Sequence, residues 1–220
     1  MPDEMSESTV ILIVDDHPIY LDGISLVLQD LFEGSQVLQA GTAKEALALL
    51  AERFDIDWIF LDFQLPDGHG LDLLKQINDL MVTAPIIMMS GSDDTHLVSN
   101  AIEGGASGFI HKAGGRTDFK ECFNAIEREG LYLAPEMALK LDHYKKTTLQ
   151  AKNEVLNQLS DRRKDVLVLV AEGYSNGEIA STLSISEATV KAHVSALMTI
   201  FDADNRSHCV AEARKLGIVS

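Results

Sequence analysis

The chain has 220 residues, 46% of them hydrophobic, which is enough for one large domain or two modest ones around a real core. Its formal charge is -16, unevenly spread: residues 1–154 hold 11 Lys+Arg against 26 Asp+Glu, and residues 155–220 hold 7 against 8. The acidic first portion repels phosphates, so it is excluded as a nucleic-acid binder by itself and suits a cation or a basic protein instead.

In chain order, residues 1–8 are polar and expected to fray. Thr9 to Val14 is a β-branched, apolar run that reads as a buried strand and ends on Asp15-Asp16-His17-Pro18. The helix that follows offers Ile19, Ile24, Leu26, Val27, Leu28 and Leu31 as core positions. Gln36 to Ala40 is a short strand. Thr42 caps the next helix, with Glu45 completing a capping box and Ala43, Ala46, Leu47 and Leu50 at helical spacing. A third strand, Trp58 to Leu61, ends on Asp62 and is followed by the turn residues Pro66 and Gly68. A helix over 71–80 presents Leu71, Leu74 and Ile77. Pro85 to Met89 is a fourth strand ending on Ser90-Gly91. Asp93 or Asp94 starts a helix over 95–103, stopped by Gly104-Gly105. Gly108-Phe109-Ile110 is a fifth strand ending on His111-Lys112, and a helix over 117–129 stops at Gly130. Strand and helix alternate five times, so residues 8–131 form a five-stranded parallel sheet covered on both faces.

Residues 132–158 read as a partly helical linker with a break near Thr147-Thr148. Residues 159–220 read as an all-α unit of four helices, with Ser160, Ser175 or Asn176, Ser186, and Asn205 or Asp204 as caps. Cys122 and Cys209 lie far apart with no metal-ligand spacing and read as ordinary thiols of a reducing compartment. No run of 18 apolar residues exists and the start is acidic, so a soluble cytoplasmic protein without a membrane partner is expected.

Three strands of the first unit end on chemistry: Asp15-Asp16, Asp62 and Lys112, with Ser90 on a fourth. In a parallel sheet these ends share one edge, where ligands bind. Asp62 alone could merely start a turn, and Asp15-Asp16 alone could be a helix N-cap. Together, three carboxylates require a cation that a lone lysine does not supply, and Mg²⁺ fits a set of hard oxygens. A carboxylate beside Mg²⁺ can attack a phosphoryl group, while a Lys amine and a Ser hydroxyl hold its other oxygens. No Walker A run or Gly-rich loop supports nucleotide binding. His17 and His111 lie near the cleft and read as surface or supporting residues.

On Asp15-Asp16, Asp62 with Pro66-Asp67-Gly68, Ser90-Gly91 and Gly108-Phe109-Ile110-His111-Lys112, residues 8–131 resemble the receiver domain of two-component response regulators. The resemblance implies a flavodoxin-like fold of strand order 2-1-3-4-5, with Asp62 as phosphoacceptor for a sensor histidine kinase. It implies Mg²⁺ bound by Asp16, Asp62 and the backbone carbonyl of Gln64, with Asp15 in support. Lys112 would pair with the phosphoryl group, Ser90 would swing to bond it, and Phe109 would be the switch aromatic, unless Phe109 is simple strand packing.

In the second unit, Ser175 to Val194 gives a short helix, a tight connection at Ser184-Ile185 and a longer helix, the helix-turn-helix pattern. Ile179, Ala180, Leu183, Ile185, Val190 and Val194 supply the contact between the helices. Glu187, Thr189, Lys191, Ala192 and Ser195 form the more polar side, where Lys191 can reach a phosphate or base edge and Ser186 and Thr189 can bond phosphates. Residues 159–219 resemble the LuxR-type helix-turn-helix of the NarL/FixJ group, on Arg162, Ala171-Glu172-Gly173, Glu178-Ile179-Ala180, Thr189-Val190-Lys191 and Asn205-Arg206. The resemblance places Lys191 and Ala192 in the major groove of double-stranded DNA and Arg206 near the backbone. It also implies a homodimer through the last helix. Arg163 and Met198-Thr199-Ile200 depart from the family pattern. The reading is therefore a non-enzymatic, DNA-binding transcriptional response regulator. Its rival is a phosphorylation-dependent protein adaptor whose helical unit has lost DNA binding.

Overall fold

The computed structural model describes residues 8–219. Of the start expected to fray, residues 1–7 lie outside the described residues. Ser8 is held, its hydroxyl donating to the carbonyl of Gly34. The chain divides into two compact units between Leu141 and Asp142.

The first unit alternates β1 (Val10–Val14), α1 (Pro18–Leu31), β2 (Gln36–Ala40), α2 (Ala43–Glu52) and β3 (Trp58–Asp62). A hairpin of β4 (Gln64–Leu65) and β5 (Gly68–His69) leads to α3 (Gly70–Asp79), β6 (Ile86–Ser90), α4 (Thr95–Glu103), β7 (Gly108–His111), α5 (Arg116–Glu129) and β8 (Tyr132–Leu133). The main sheet has the order β2-β1-β3-β6-β7-β8 and every pairing in it is parallel. The inner strands β1, β3, β6 and β7 are buried on both faces because both faces are covered. Leu12, Val14, Ile59, Leu61, Met88 and Phe109 pack with Ala46, Leu74, Ile77 and Val98 of α2, α3 and α4. The alternate residues Ile11, Ile13, Phe60, Ile87 and Met89 pack with Leu21, Ile24 and Leu28 of α1 and Phe119, Cys122 and Phe123 of α5. Both cysteines are free and buried, and burial pushes the Cys122 thiol up to about 12.

Three expectations need correction. The sheet has six strands rather than five. After Gly130 turns the chain with φ 76°, the Tyr132 amide donates to Ser107 O at 2.9 Å and a two-residue strand extends the β7 edge. A strand so short has no periodicity to read. In α1, Ile19 and Leu26 are 89% and 69% exposed. The stripe facing the sheet is Leu21, Ile24 and Leu28, and residues 19 and 26 fall on the opposite side of a 3.6-residue period. There is also no break at Thr147-Thr148: α6 runs from Pro135 to Gln158, and the Thr147 hydroxyl satisfies itself on His143 O at 2.9 Å within the helix.

In the first unit, Thr42 Oγ1 accepts the Glu45 amide as expected, but the Glu45 carboxylate reaches one residue further back, to the Gly41 amide at 2.8 Å. Asp94, not Asp93, caps α4 through the amides of His96 and Leu97. The first turns of α6 belong to this unit, with Met137 and Leu141 buried.

The second unit holds α7 (Asp161–Ala171), α8 (Asn176–Leu183), α9 (Glu187–Ile200) and α10 (Arg206–Lys215). Each starts on a side-chain cap, namely Ser160, Ser175, Ser186 and Asn205, and Ser175 with Glu178 forms a full capping box. Their core is Val166, Leu167, Val170, Ile179, Val190, Leu197, Phe201, Cys209 and Ala213. Among the described residues, no helix is long and apolar enough to cross a membrane.

Gly70 opens α3 directly beneath Asp62. A Cβ at position 70 would stand 2.1 Å from the Asp62 carbonyl oxygen, which is backbone and has no rotamer to yield. Gly70→Ala is therefore expected to lower stability by at least about 2 kcal/mol in urea unfolding. Ser175→Ala removes the α8 cap and is expected to cost about 1 kcal/mol in the same measurement.

Candidate functional site

Parallel pairing brings the carboxyl ends of β1, β3, β6 and β7 to one edge. The Asp15 amide donates to Ala40 O at 3.0 Å, the Phe63 amide to Met89 O at 3.2 Å and the Lys112 amide to Ser90 O at 2.7 Å, so each end is tied to its neighbour. Asp15 is fully buried and Asp62 is 4% exposed. The Lys112 ammonium lies 2.6 Å from Asp15 Oδ2 as an ion pair and donates a hydrogen bond to Asp62 Oδ2 at 2.8 Å. Strand ends 50 residues apart are thus joined through one cation.

Burial raises the Asp62 carboxyl above its ordinary range, the Lys112 hydrogen bond and charge oppose that, and the Asp15 charge adds to it. Burial alone would lower the Lys112 ammonium, but its contacts with the Asp15 and Asp62 carboxylates outweigh it and hold the group above its ordinary value. Three carboxyl groups, Asp15, Asp16 and Asp62, thus gather around a single ammonium.

Asp15, Asp16, His17 and Asp62 can offer ligand atoms that all lie within 4.8 Å of one another. Asp15 Oδ2 is buried and has no directed hydrogen bond, its contact with Lys112 being ionic. Such a set of hard, under-satisfied oxygens fits a divalent cation. Asp62 also accepts a hydrogen bond from the Gln64 backbone, so that peptide is at the site, while the Gln64 side chain is exposed in the hairpin.

The reading of the acid pair as a helix cap is not what the structure shows. The residue before α1 is His17, which makes no side-chain cap. Its amide donates to Asp15 Oδ1 at 2.9 Å, and its Nδ1 lies 2.9 Å from Asp15 Oδ1 and 2.8 Å from Asp16 Oδ1. His17 therefore bridges the two acids from an exposed position, in keeping with its reading as a surface or supporting residue. His111 lies 3.9 Å from Asp93, away from the carboxylates.

Ser90 Oγ accepts the Ser92 amide at 3.0 Å, so the hydroxyl is bonded within its own loop. Phe109 is 3% exposed, with its ring 6.3 Å from that of Phe63, the residue after Asp62. Sequence reasoning assigned no role to Asp67. Its carboxylate accepts the amides of Ala43 and Lys44 at 2.9 and 3.0 Å, and these two bonds hold it below the usual carboxylate range. An acid at the N-terminus of α2 ties the loop after Asp62 to a different helix. The partners are 24 and 23 residues upstream, so no local signal marks the contact.

In the second unit, Ser184 at φ 53° closes α8, and the Ile185 amide donates to Ala180 O at 3.0 Å, which forms the tight connection to α9. Ser186, Thr189, Lys191, Ala192 and Ser195 are all exposed along α9, opposite the buried Val190 and Leu197. The Ser186 hydroxyl accepts the Thr189 amide at 3.1 Å and lies 2.8 Å from Thr189 Oγ1. Lys191 makes no ion pair among the described residues, which leaves its charge available. Arg206 is half-buried and already engaged: its guanidinium donates to Asn176 Oδ1 at 3.1 Å and to the carbonyl of Tyr174. It binds α10 to the loop before α8. Arg163, which departs from the resemblance, donates to Gln158 O at 3.2 Å at the start of the unit.

Residues 11–124 match the family described as response regulator receiver domain, and residues 157–213 match the one described as bacterial regulatory proteins, luxR family. The glycerol metabolism activator of Pseudomonas putida is 34% identical, over 92% of this chain and 94% of its own. The nitrate/nitrite response regulator protein NarP of Escherichia coli is 36% identical, over 86% of each. The fold is that of the Salmonella typhimurium RcsB response regulator, with a TM-score of 0.61 at 22% identity, covering 94% of this chain and 100% of that one. The chain belongs to the two-component response regulators with a LuxR-type DNA-binding domain, and it is a transcriptional regulator rather than an enzyme.

Proposed function

We propose that Asp62 is the phosphoacceptor of this regulator and that a cognate sensor histidine kinase is its donor. The observation that carries this reading is the Lys112 ammonium held at once by Asp15 and Asp62, with Asp16 beside them at the sheet edge. An oxygen of Asp62 attacks phosphorus, and the bond from phosphorus to the kinase's histidine nitrogen breaks, the nitrogen keeping the electron pair. Asp15, Asp16, Asp62 and the Gln64 carbonyl would hold Mg²⁺, which supplies positive charge against the incoming phosphoryl oxygens. Lys112 transfers its hydrogen bond from Asp62 to a phosphoryl oxygen. Ser90 leaves the Ser92 amide to bond another, and Phe109 responds to that movement from its buried position beside Phe63.

Residues 8–131 act as the receiver, 132–158 as the connection and 159–220 as the output domain, in a cytoplasmic protein. Output is binding of double-stranded DNA by a homodimer. The exposed face of Ser186, Thr189, Lys191, Ala192 and Ser195 enters the major groove, and Arg206 stands near the phosphate backbone. With 7 Lys+Arg against 8 Asp+Glu in residues 155–220, nonspecific attraction is weak, and pairing of two half-sites supplies the affinity.

Incubation with radiolabelled acetyl phosphate and Mg²⁺ is expected to label the wild type and not Asp62→Ala, with chelation abolishing the label. Equal labelling of both proteins overturns the assignment. Without a phosphoryl donor, Mg²⁺ at a hundred times its dissociation constant is expected to stabilise the wild type by about 2.7 kcal/mol. Asp16→Asn should shrink that gain in a thermal melt. On promoter DNA, Lys191→Ala is expected to weaken binding about tenfold and to reduce the salt slope by about 1. A Lys191→Ala protein that binds promoter DNA as tightly as the wild type, with the same salt slope, would overturn this face as the one that enters the groove.

A further inference from the structure

Lys112 has a third neighbour besides the two carboxylates. Its Nζ stands 5.0 Å from the ring centroid of Tyr20, within the range of a cation–π contact. Tyr20 lies in the first turn of α1 and is half-buried. Its hydroxyl donates to Sδ of Met89 at 3.6 Å. Met89 is itself fully buried and stands in register with Asp62 on one side and Ile110 on the other. The ring is thus anchored to β6, the strand that lies between the one carrying the acceptor and the one leading to the lysine. Burial first, and then the charges of Asp15 and Asp62, hold the phenol well above its ordinary range, so the ammonium meets a neutral aromatic face.

That face has a use at the moment of transfer. With acetyl phosphate as donor, an Asp62 oxygen forms a bond to phosphorus while the bond from phosphorus to the acetate oxygen breaks. Acetate leaves with the electron pair, and no proton is required. The ammonium that was bonded to Asp62 Oδ2 must then be found beside a phosphoryl oxygen. Lysine is a point charge on a flexible stem, and Asp15 alone would draw it toward β1. We propose that Tyr20 is a positioning residue for phosphoryl transfer, its ring face holding the Lys112 ammonium at the sheet edge while the hydrogen bond passes from Asp62 to the phosphoryl group. This inference rests on Asp62 as the acceptor.

The test uses the full chain with acetyl phosphate, which bypasses any kinase contact with α1. Asp62-dependent labelling of the wild type is read first, and labelling that persists in Asp62→Ala overturns both readings. With that dependence established, Tyr20→Leu is expected to slow phosphorylation roughly 3- to 30-fold while leaving the Mg²⁺ titration midpoint in place. Tyr20→Phe, which keeps the ring, should restore the rate. Phenylalanines carrying an increasing number of fluorines at position 20 keep the ring's shape and drain its face of negative charge, so the rate should fall stepwise with fluorination. This series decides the matter even if Tyr20→Leu does not fold. A flat series, a Tyr20→Phe protein as slow as Tyr20→Leu, or a Tyr20→Leu protein as fast as wild type would each show that Tyr20 does not position the lysine.

Discussion

The structure of the first unit depends on one cation. Lys112 closes a gap between Asp15 and Asp62 that no hydrogen bond between carboxylates could close. Without it, two buried acids would face each other, and burial already raises Asp62. With it, the neighbouring ends of β1 and β3 are both held to the end of β7. The clamp still does not neutralise the cluster, because Asp16 contributes a further carboxylate. The residual negative charge makes the edge fit a divalent ion.

The surroundings keep the clamp where it is. Two apolar cores, one on each face, fix the order and register of the strands that deliver the acids. The segment after Asp62 is held three ways. Asp67 bonds the start of α2, Gly70 allows the backbone to pass against the Asp62 carbonyl, and Phe63 meets Phe109 across the neighbouring strands. On the other face, Tyr20 covers the ammonium. By contrast, the Ser90 hydroxyl is held by one amide of its own loop, a bond that can be exchanged at little net change in free energy. The site thus pairs a rigid acid–lysine arrangement with a hydroxyl that is free to change partners.

The second unit is built on a different principle. Its helices are short, and each begins on a side chain that satisfies the first-turn amides, so the unit's order owes much to caps and to one compact core. Arg206 is used inside the unit, linking α10 to the loop before α8. The exposed charge on the face of α9 is consequently small, with Lys191 as its main cation. Such a face offers little bulk charge for long-range attraction of a polyanion.

The alternation of two-faced apolar strands with capped helices determined the parallel sheet, the helical second unit and the identity of the residues that end each strand. These follow from local rules: a period of 2 or 3.6, a short polar cap, a glycine stop. They even brought the acids and the lysine to one edge, because parallel strands share it. Other features were decided only by tertiary structure. Which of the apolar residues in α1 face the sheet depends on helix rotation, and Ile19 and Leu26 turned outward. The sixth strand exists because an open edge of β7 was there to receive Tyr132. The bonds of Asp67 to α2 and the contact of Tyr20 with the lysine join residues whose types have many possible partners. Strand order and register select one partner for each, and no local pattern in the chain records that choice.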